Sequence, residues 1–463
     1  MLIGVLRKKT LAELDMALRR LDASLYDLLE LRLDSLEDFS PQGIAALRPP
    51  LPVIYTLRRQ EEGGGYPWSE KKRLEHLHAL MRLHPARMDL EASLSVRDIA
   101  ALRVVSPQTG IILSRHYFAS TPPDLDAVLA AMRARAPEGV IYKIAAMAQN
   151  TLDALDMLLF CKRSGPAVLG ISMGQAGEST RILAPVYHCG LCYCPVEEAS
   201  APGQIPAATL RGTYNFASLN PRTAVYGLLG DPVEQSSGHA LHNALNKQHG
   251  LEAVYVKWPV RGEELPGALE RLHRLGVSGL SVTMPHKRAV LPLLARLDEA
   301  ARAIGAANTL TRTEQGYTGS NTDGEGAMRA LRQAGTDPEH KRVFVLGAGG
   351  AAAAFLHAAA PHARSIRVFN RTPGKDLPAG LRSLSWSDLK SSGEADLLVN
   401  ALPFDAAFDF SALSFPPGGT ALDLSYNRES AFLHQAALHG CRCLDGSAMF
   451  REQAMLQRDI WGL

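Results

Sequence analysis

The chain has 463 residues, more than one hydrophobic core usually supports, so we expect two or three domains. Its formal net charge is +2 and its charged residues are mixed along the chain, which argues against a nucleic-acid or anionic-membrane partner. No apolar run reaches the roughly 18 residues that a membrane-spanning helix needs. Residues 2–6 form too short an apolar run for a signal peptide, so a cytoplasmic protein is expected.

Six cysteines in a chain of this length do not make a disulfide framework and favour a reducing compartment. Cys189, Cys192 and Cys194 are clustered in the sequence. A zinc site is one interpretation, but no further ligand pair lies at a suitable spacing. We interpret the cluster as a buried strand with small, apolar thiols, and predict no bound metal.

Eight short apolar runs, separated by segments of helical length, occupy the chain up to residue 212. The runs are 2–6, 28–33, 52–57, 87–90, 110–113, 140–144, 167–171 and 190–194. The intervening segments carry apolar residues at helical spacing, so the pattern is a repeated strand and helix with a parallel sheet. Eight such units predict an α/β fold, a closed (β/α)₈ barrel with its active site at the carboxyl ends of the strands.

Charged and polar side chains lie within, end or follow several of these strands. They are Glu30, Arg32, Arg58, Glu62, His116 and Lys143. A lysine that faces a barrel interior is costly to bury as an ammonium ion, and as a free amine it could attack a ketone. Considered alone, Lys143 is explained at least as well by a side chain whose ammonium reaches the barrel rim as by a catalytic amine. Considered alone, His116 could be a polar residue that simply has its hydrogen-bond partners. An amine, an imidazole and a carboxylate at one mouth together favour catalysis.

Five short motifs resemble type I 3-dehydroquinate dehydratase across residues 1–212. They lie at 30–34 (ELRLD), 56–64 (TLR followed by EGG), 114–116 (SRH), 142–145 (YKIA) and 200–204 (SAPGQ). The resemblance implies that Lys143 forms an imine with the substrate ketone and that His116, oriented by Glu62, is the general acid and base. It also implies substrate contacts and a lid, from Glu30, Arg32, Arg58, Arg181, Ser200 and Gln204. Tyr117 departs from the acid or amide that often follows the histidine.

Residues 214–223 (YNFASLNPRT) have no helical or strand period and predict a linker. Beyond it, strands are predicted at 224–229, 253–257 and 279–282, with helices at 240–248 and 263–275, giving a small α/β domain. Its loops carry hydroxyl and amide side chains at 236–238, 281–287, 305–309 and 319–323. Such groups suit a polyhydroxy ligand, although they are also ordinary turn and cap residues.

A second α/β domain begins with a strand at 342–347 and a glycine turn with Gly347, Gly349 and Gly350, followed by an alanine-rich helix from Ala351. That context suits a pyrophosphate at a helix N-terminus. The next strand, 365–369, ends in Asn370, Arg371 and Thr372, where an NAD site would prefer an acidic residue. A cation at this point indicates the 2′-phosphate of NADP(H), whereas the alternative is a solvated arginine at a strand end.

The motifs from residue 222 to residue 463 resemble shikimate dehydrogenase. The resemblance implies a catalytic pair, Lys287 and Asp323, with substrate contacts from Ser236, Thr283, Asn308, Tyr426 and Gln453. Several positions depart from the family pattern: Gly238 replaces a serine, Ser281 an asparagine and Arg428 a proline, and the segment around Leu402 lacks the usual threonine and glycine. These departures leave open a preference for shikimate or for quinate, and a second half that has become a ligand-sensing module.

The sequence therefore predicts a fused enzyme that converts 3-dehydroquinate to 3-dehydroshikimate and reduces this product with NADPH to shikimate. The predicted domains are a barrel at 1–212, a linker at 213–221, a substrate domain at 222–335 with 446–463, and a Rossmann-like NADP domain at 336–445. The oligomeric state is left open between a monomer and a homodimer.

Overall fold

The computed structural model describes residues 1–136, 139–187, 190–197, 201–403, 406, 408–426 and 429–463. The chain divides into two compact units. The first comprises residues 1–227 and 233–277, and the second comprises residues 228–232 and 278–463. Each is described separately below.

The first unit begins with eight strands that alternate with helices. The strands are β1 (Leu2–Leu6), β2 (Leu28–Arg32), β3 (Val53–Thr56), β4 (Arg87–Glu91), β5 (Gly110–Tyr117), β6 (Val140–Met147), β7 (Val168–Met173) and β8 (Cys192–Pro195). The helices are α1 (Leu11–Arg20), α2 (Pro41–Ala46), α3 (Glu70–Met81), α4 (Val96–Val105), α5 (Leu125–Arg133), α6 (Thr151–Ser164), α7 (Glu178–Ile182) and α8 (Ala207–Gly212). All eight predicted strands are present.

The strands form one parallel sheet in the order β7-β6-β5-β4-β3-β2-β1-β8, which is the order of a TIM-type barrel. Among the described residues the hydrogen-bonded ladder runs from β7 round to β8, and these two end strands share no ladder. Arg181 and Thr180 of α7 line the space between them. The Arg181 side chain is buried there, next to the two strands that end the ladder.

Local chemistry explains where the barrel elements begin. Thr10 caps α1 through the backbone amide of Glu13, whose side chain returns to the cap in a capping box. Ser69 and Asn150 cap α3 and α6 in the same manner, each through one side-chain oxygen. Because β5 and β6 run three or more residues beyond the predicted ends, His116 lies within a strand and has a fixed direction.

The remainder of the first unit contains helix α9 (Gly238–Gln248), strand β10 (Ala253–Pro259) and helix α10 (Leu265–Leu275). Strand β9 (Ala224–Gly230) is the sheet neighbour of β10 and crosses from the first unit into the second. Helix α10 packs on α6 of the barrel, where Arg271 binds both carboxylate oxygens of Asp156 at 2.8 and 3.1 Å. Lys162 donates to the carbonyl oxygen of Leu275 at 2.8 Å, so a barrel lysine binds the last turn of α10.

The second unit contains a small sheet followed by a larger one. The small sheet has β11 (Gly279–Val282), β13 (Thr309–Thr313), β14 (Gly316–Ser320) and β12 (Arg296–Leu297) as successive neighbours. Its helices are α11 (His286–Ala289), α12 (Glu299–Ile304) and α13 (Asp323–Gln333). The last helix of the chain, α16 (Gly446–Trp461), packs against α13.

The larger sheet contains β15 (Arg342–Leu346), β16 (Ser365–Phe369), β17 (Ser383–Leu384), β18 (Leu397–Asn400), β19 (Thr420–Asp423) and β20 (Arg442–Leu444). All its pairs are parallel and the order is β17-β16-β15-β18-β19-β20. That is the doubly wound order of a Rossmann domain, with the crevice beside β15. Helices α14 (Gly350–Ala359) and α15 (Ala431–Leu438) complete the layers. In the described part of the chain, no helix is long and apolar enough to cross a membrane.

Candidate active sites

Lys143 lies on β6 with its amine inside the barrel, only 6% exposed. Its Nζ is 3.2 Å from Oδ2 of Asp89, a buried carboxylate on β4. The other oxygen of Asp89 accepts from the guanidinium of Arg58 at 2.9 Å and from the hydroxyl of Ser114 at 2.6 Å. Arg58 also donates to Ser114 at 2.5 Å. A single buried carboxylate is therefore shared by two cations and a hydroxyl, and among the described residues it is the one carboxylate paired with Lys143.

This sharing of charge affects the pKa values of the groups in the cluster. The pKa of Asp89 is lowered: burial opposes ionisation, but Arg58 and Lys143 together outweigh it. The pKa of the Arg58 guanidinium is raised, because its neighbours Asp89 and Glu91 outweigh the cost of its burial. The stable ion pair in this cluster is thus Asp89 with Arg58, and Lys143 is a third member beside it.

His116 lies on β5, with its Nδ1 3.4 Å from Oε2 of Glu62. Burial, followed by the positive charges of Arg58 and Lys143, holds the pKa of His116 well below its ordinary value. Burial also raises the pKa of Glu62 above its ordinary value. A neutral imidazole oriented by a carboxyl group can accept a proton, as general-base catalysis requires.

The remaining predicted residues of β2 are held by their own partners. Glu30 is buried and accepts from the hydroxyl of Thr56 at 2.7 Å. Arg32 forms two parallel hydrogen bonds with Asp34, both 2.9 Å long, and Asp34 in turn accepts from the amide of Gly65 at 3.0 Å. These bonds fix the two side chains before any ligand arrives.

Arg181 lies apart from this cluster. It is 4% exposed, and its Nη2 donates to the carbonyl oxygen of Pro202 at 3.3 Å. Burial lowers its pKa below the ordinary value. In the described structure no hydrogen bond or ion pair joins Arg181 to Lys143 or His116; instead it holds the segment that carries Gln204, whose side chain accepts from the amide of Ala201. Ser200, the other residue predicted for the lid, lies outside the described residues.

The sequence analysis missed Asp89, although it lies in one of the predicted strands. It also assigned no role to Glu91, which accepts from the backbone amide of Arg59 at 2.9 Å and from buried Arg73 at 2.7 Å. Glu91 thereby anchors the loop that carries Glu62. The available signal was the alternation of Arg87, Asp89 and Glu91, which places all three side chains on the interior face of β4.

In the second unit, Nζ of Lys287 is 2.6 Å from Oδ2 of Asp323. Lys287 lies in the short helix α11 and its side chain is 29% exposed. Asp323 is the first residue of α13, where the helix dipole favours a negative charge. Its other oxygen accepts from the side-chain amide of Asn308 at 2.7 Å. The predicted pair is therefore brought together, and Asn308 orients its carboxylate.

Two glutamines of α16 hold Asn308 from the opposite side. Gln453 accepts from the Asn308 amide at 3.3 Å, and Gln457 donates to the Asn308 carbonyl oxygen at 3.0 Å. The hydroxyl of Ser281 donates to the side chain of Gln457 at 2.8 Å. Ser281 is therefore connected to Asn308 through Gln457. Gln457 was not predicted from the sequence.

The other predicted substrate residues occupy separate positions. Thr283 follows β11, and its amide donates to the carbonyl oxygen of Leu229 at 2.9 Å. The Tyr426 ring stacks on Phe450 with 4.7 Å between ring centroids. Ser236 belongs to the first unit, where its hydroxyl accepts from the amide of Gly238 at 3.2 Å. The role of Ser236 stays a prediction. Arg428 lies outside the described residues.

The glycine turn follows β15 and leads into α14, the context that the sequence predicted. Gly347 has a φ of +100°, and a Cβ there would lie 2.9 Å from the carbonyl oxygen of Ala401, so only glycine fits. No atoms lie within 4 Å of the Cβ positions built at Gly349 and Gly350. No side chain caps α14, so the amides of its first turn, including Ala351, are available to an anionic group. These residues fit a dinucleotide phosphate.

The strand-end residues Arg371 and Thr372 are exposed beside this turn, and the Asn370 side chain donates to the carbonyl oxygen of Thr372 at 3.1 Å. Lys375, which the sequence analysis missed, reaches back so that its Nζ donates to the carbonyl oxygen of Ala348 at 2.5 Å. A second cation is thus held at the glycine turn, which strengthens the fit to a phosphorylated ligand. Leu402 is partly buried in the same domain and packs near Gly347.

The cysteine cluster was interpreted as a buried strand. Cys192 and Cys194 are buried on β8, whereas Cys189 lies outside the described residues. Among the residues that the structure describes, no group of three or more histidine, cysteine, aspartate or glutamate side chains is placed to hold a metal ion.

Comparison with family models assigns both halves. Residues 5–221 match the model of type I 3-dehydroquinase, and residues 228–310 match the shikimate dehydrogenase substrate binding domain. Fold, site geometry and these matches together define the class: a dehydratase barrel joined in one chain to a dinucleotide-dependent dehydrogenase.

Two relatives extend over nearly the whole chain. The shikimate biosynthesis protein AroDE of Chlamydia pneumoniae is 32% identical over 452 residues, which are 94% of this chain and 90% of that protein. The chloroplastic bifunctional 3-dehydroquinate dehydratase/shikimate dehydrogenase of Arabidopsis thaliana is 31% identical over 471 residues. The match covers 94% of this chain and 77% of the Arabidopsis protein. The shikimate dehydrogenase (NADP(+)) of Bacillus licheniformis is 35% identical over 254 residues, 51% of this chain and 91% of that protein. The chain belongs to the family of bifunctional 3-dehydroquinate dehydratases/shikimate dehydrogenases.

Proposed function

We propose that Lys143 and Lys287 are the central catalytic residues of two consecutive reactions of the shikimate pathway. The barrel dehydrates 3-dehydroquinate to 3-dehydroshikimate, and the second half reduces that product with NADPH to shikimate. The observation that carries the first assignment is the buried amine of Lys143, which shares Asp89 with Arg58. The 2.6 Å contact of Lys287 with Asp323 carries the second.

In the dehydration, the neutral amine of Lys143 attacks the ketone carbon, and the ketone oxygen leaves as water once it has been protonated. The resulting iminium ion draws electrons from the neighbouring carbon, whose proton His116 accepts. The enamine electrons then expel the hydroxyl one carbon further on, and His116 returns its proton so that this group also leaves as water. Hydrolysis of the iminium ion releases the enone product and restores Lys143.

The surrounding residues bind and orient the substrate. Glu62 holds the imidazole of His116 so that its free nitrogen faces the reacting carbon. Glu30, Arg32 and Arg58 contact the ring and its oxygens. Arg181 exchanges its bond with the Pro202 carbonyl oxygen for the substrate carboxylate, so substrate binding and the position of the segment that carries Gln204 are linked. Ser200 and Gln204 complete the lid.

Borohydride reduction tests the imine directly. Treatment of the protein with 3-dehydroquinate and borohydride should add the reduced ligand mass to the peptide that contains Lys143 and abolish dehydration. The sample with borohydride alone is the control. Recovery of that peptide without the added mass, in a sample that has lost activity, would contradict the imine.

In the reduction, NADPH supplies a hydride to the ketone carbon of 3-dehydroshikimate. Lys287 donates the proton that the ketone oxygen acquires, and its ammonium stabilises the negative charge developing there. Asp323 holds the ammonium in place, and Asn308 orients Asp323. Thr283, Tyr426, Gln453 and Ser236 are the proposed contacts to the rest of the substrate.

The cofactor is NADP(H). We assign its pyrophosphate to the amides at Gly347, Gly349, Gly350 and Ala351. Its 2′-phosphate is assigned to the residues that end the next strand, together with the lysine that follows them: Asn370, Arg371, Thr372 and Lys375. Reversing the charge with Arg371→Glu should raise the KM for NADPH at least about tenfold while leaving the KM for NADH nearly unchanged. Equal effects on both cofactors would contradict the assignment.

A spectrophotometric assay separates the alternatives for the second half. Reduction of NADP with shikimate supports shikimate dehydrogenase, reduction with quinate instead would assign quinate dehydrogenase, and binding without reduction would assign a sensing module. Asp323→Ala should abolish NADP reduction and leave dehydration intact. Loss of both activities together in a folded variant would contradict two independent sites.

The domain boundaries given by the sequence, 1–212, 213–221, 222–335 with 446–463, and 336–445, are part of this proposal. We also propose a cytoplasmic location and no nucleic-acid or membrane partner. The oligomeric state, monomer or homodimer, is open to sedimentation measurements with and without substrate.

A further inference from the structure

Tyr193 lies on β8 and contacts the lysine that we assign to imine formation. Nζ of Lys143 lies over the Tyr193 ring, 4.0 Å from the ring centroid. At that distance the negative face of an aromatic ring attracts a cation, and the attraction is stronger where water is excluded. Tyr193 is 4% exposed, so the contact is buried.

The hydroxyl of Tyr193 is the second observation. It is buried and makes no hydrogen bond with any residue that the structure describes. Burying a hydroxyl without a partner destabilises a fold, and a phenylalanine would fill the same space without that cost. Such a group calls for an explanation, and a bound ligand can supply the missing partner.

The neighbours of this hydroxyl belong to the dehydratase site. Burial, together with the nearby carboxylates of Glu30 and Asp89, raises the pKa of Tyr193 well above its ordinary value. The phenol therefore remains a neutral hydrogen-bond donor at the pH of catalysis. Glu30 is a proposed substrate contact, and Asp89 holds the reacting lysine.

From these observations we infer that Tyr193 is a further catalytic residue of the dehydratase: its ring supports the cationic nitrogen of Lys143, and its hydroxyl donates a hydrogen bond to an oxygen of the bound hydroxylated cyclic ketone. The inference rests on the proposed imine at Lys143. Once the imine forms, its protonated nitrogen carries a positive charge, and the ring face of Tyr193 stabilises that charge. The hydroxyl adds a directional contact on the β8 side of the site.

Two substitutions separate the ring from the hydroxyl. Tyr193→Phe removes only the oxygen, so we expect an unchanged or higher Tm together with a loss of about tenfold in dehydratase kcat/KM, seen mainly in KM. Tyr193→Leu removes the ring as well, so we expect a further loss of about tenfold in kcat and slower trapping of the imine by borohydride.

Tyr142 provides a matched control. It precedes Lys143 on β6, is equally buried, and its hydroxyl donates to the carbonyl oxygen of Ala136 at 2.5 Å. Tyr142→Phe therefore loses an existing hydrogen bond and should lower the Tm while leaving dehydratase kinetics unchanged. The two phenylalanine variants are thus expected to change stability and activity in opposite ways.

The full chain is used throughout, with dehydrogenase activity as the internal check of folding. If wild-type protein is trapped at Lys143 but Tyr193→Phe keeps wild-type kcat/KM, the inference about Tyr193 is wrong and the imine stands. If wild-type protein is not trapped at Lys143, the proposed function fails first. If Tyr193→Phe lowers both the dehydratase activity and the Tm, the Tyr193 hydroxyl has a structural role like the one expected for the Tyr142 hydroxyl. The inference is then overturned.

Discussion

Each half of the chain places a lysine beside an aspartate, but the two pairs are built differently. Lys143 is buried, and its partner Asp89 also serves Arg58 and Ser114. Lys287 is partly exposed, with a 2.6 Å bond to an oxygen of Asp323 that Asn308 leaves free. A nucleophilic amine must give up its proton, whereas a proton donor must hold one until hydride arrives. The difference in how the carboxylate is shared fits the opposite roles that we propose for the two lysines.

The largest expected effect comes from removing each lysine. Lys143→Met should reduce dehydration at least about 10³-fold and leave NADPH oxidation unchanged, and Lys287→Met should do the reverse. Paired assays on the same preparations, with 3-dehydroquinate for one activity and 3-dehydroshikimate for the other, measure both. A variant that lost the activity of the opposite half would contradict the assignment of one lysine to each reaction.

The aspartates should differ in their effect on stability. Asp89→Asn leaves the buried cations without their anion and should lower the free energy of unfolding of the half that contains it by about 3–5 kcal/mol. Asp323→Asn breaks a pair with a partly exposed lysine and should cost about 1 kcal/mol or less. Urea denaturation followed by circular dichroism and tryptophan fluorescence distinguishes them, and equal costs would show that charge sharing does not separate the two sites.

The pH dependence of dehydration should reflect the cations around His116. Burial, followed by the charges of Arg58, Lys143, Arg32 and Arg115, holds the pKa of His116 well below its ordinary value. The imidazole thus stays neutral in mildly acidic solution. As the pH is lowered, kcat/KM should therefore decline at a lower pH than it would with an ordinary histidine as the base.

Arg115→Gln tests this expectation. Removing one cation makes the protonated imidazole less unfavourable, so the pKa of His116 should rise and the acid limb should move to higher pH. Arg163→Gln is the control, because Arg163 is an exposed arginine of the same barrel that pairs with Asp126. A shift in the control, or none in Arg115→Gln, would contradict the electrostatic explanation.

The smallest effect is expected at Ser281, whose hydroxyl is linked to Asn308 through Gln457. Ser281→Ala should lower the dehydrogenase kcat by roughly threefold, the size of one neutral hydrogen bond, and leave dehydration unchanged. A loss as large as that of Lys287→Met would mean that Ser281 contacts the substrate directly.

Most of the fold could be predicted because the apolar runs repeat at strand and helix spacing. Strand ends were less accessible: β5 continues through His116 and Tyr117, whose polarity resembles that of a loop. The burial of Arg181 could not be predicted either, because its surroundings include residues of both β7 and β8, which only folding brings to the same place.

The sites divide in the same way. The glycine turn was predictable because its chemistry is local, confined to a strand, a turn and a helix. Asp89 was missed, since one carboxylate in a strand does not reveal that Lys143 of β6 and Arg58 of the loop after β3 converge on it. Lys375 was missed because its contact with Ala348 joins two loops 27 residues apart.

The packing of α10 on α6 has a consequence for a chain that has been cut. Arg222 is exposed in the predicted linker region, within reach of trypsin. After cleavage there, the Arg271–Asp156 pair and the Lys162 bond to Leu275 would still join the two fragments. A nicked protein would run as two bands under denaturing conditions yet elute as one particle in native buffer, so the halves are joined by folding as well as by the peptide bond.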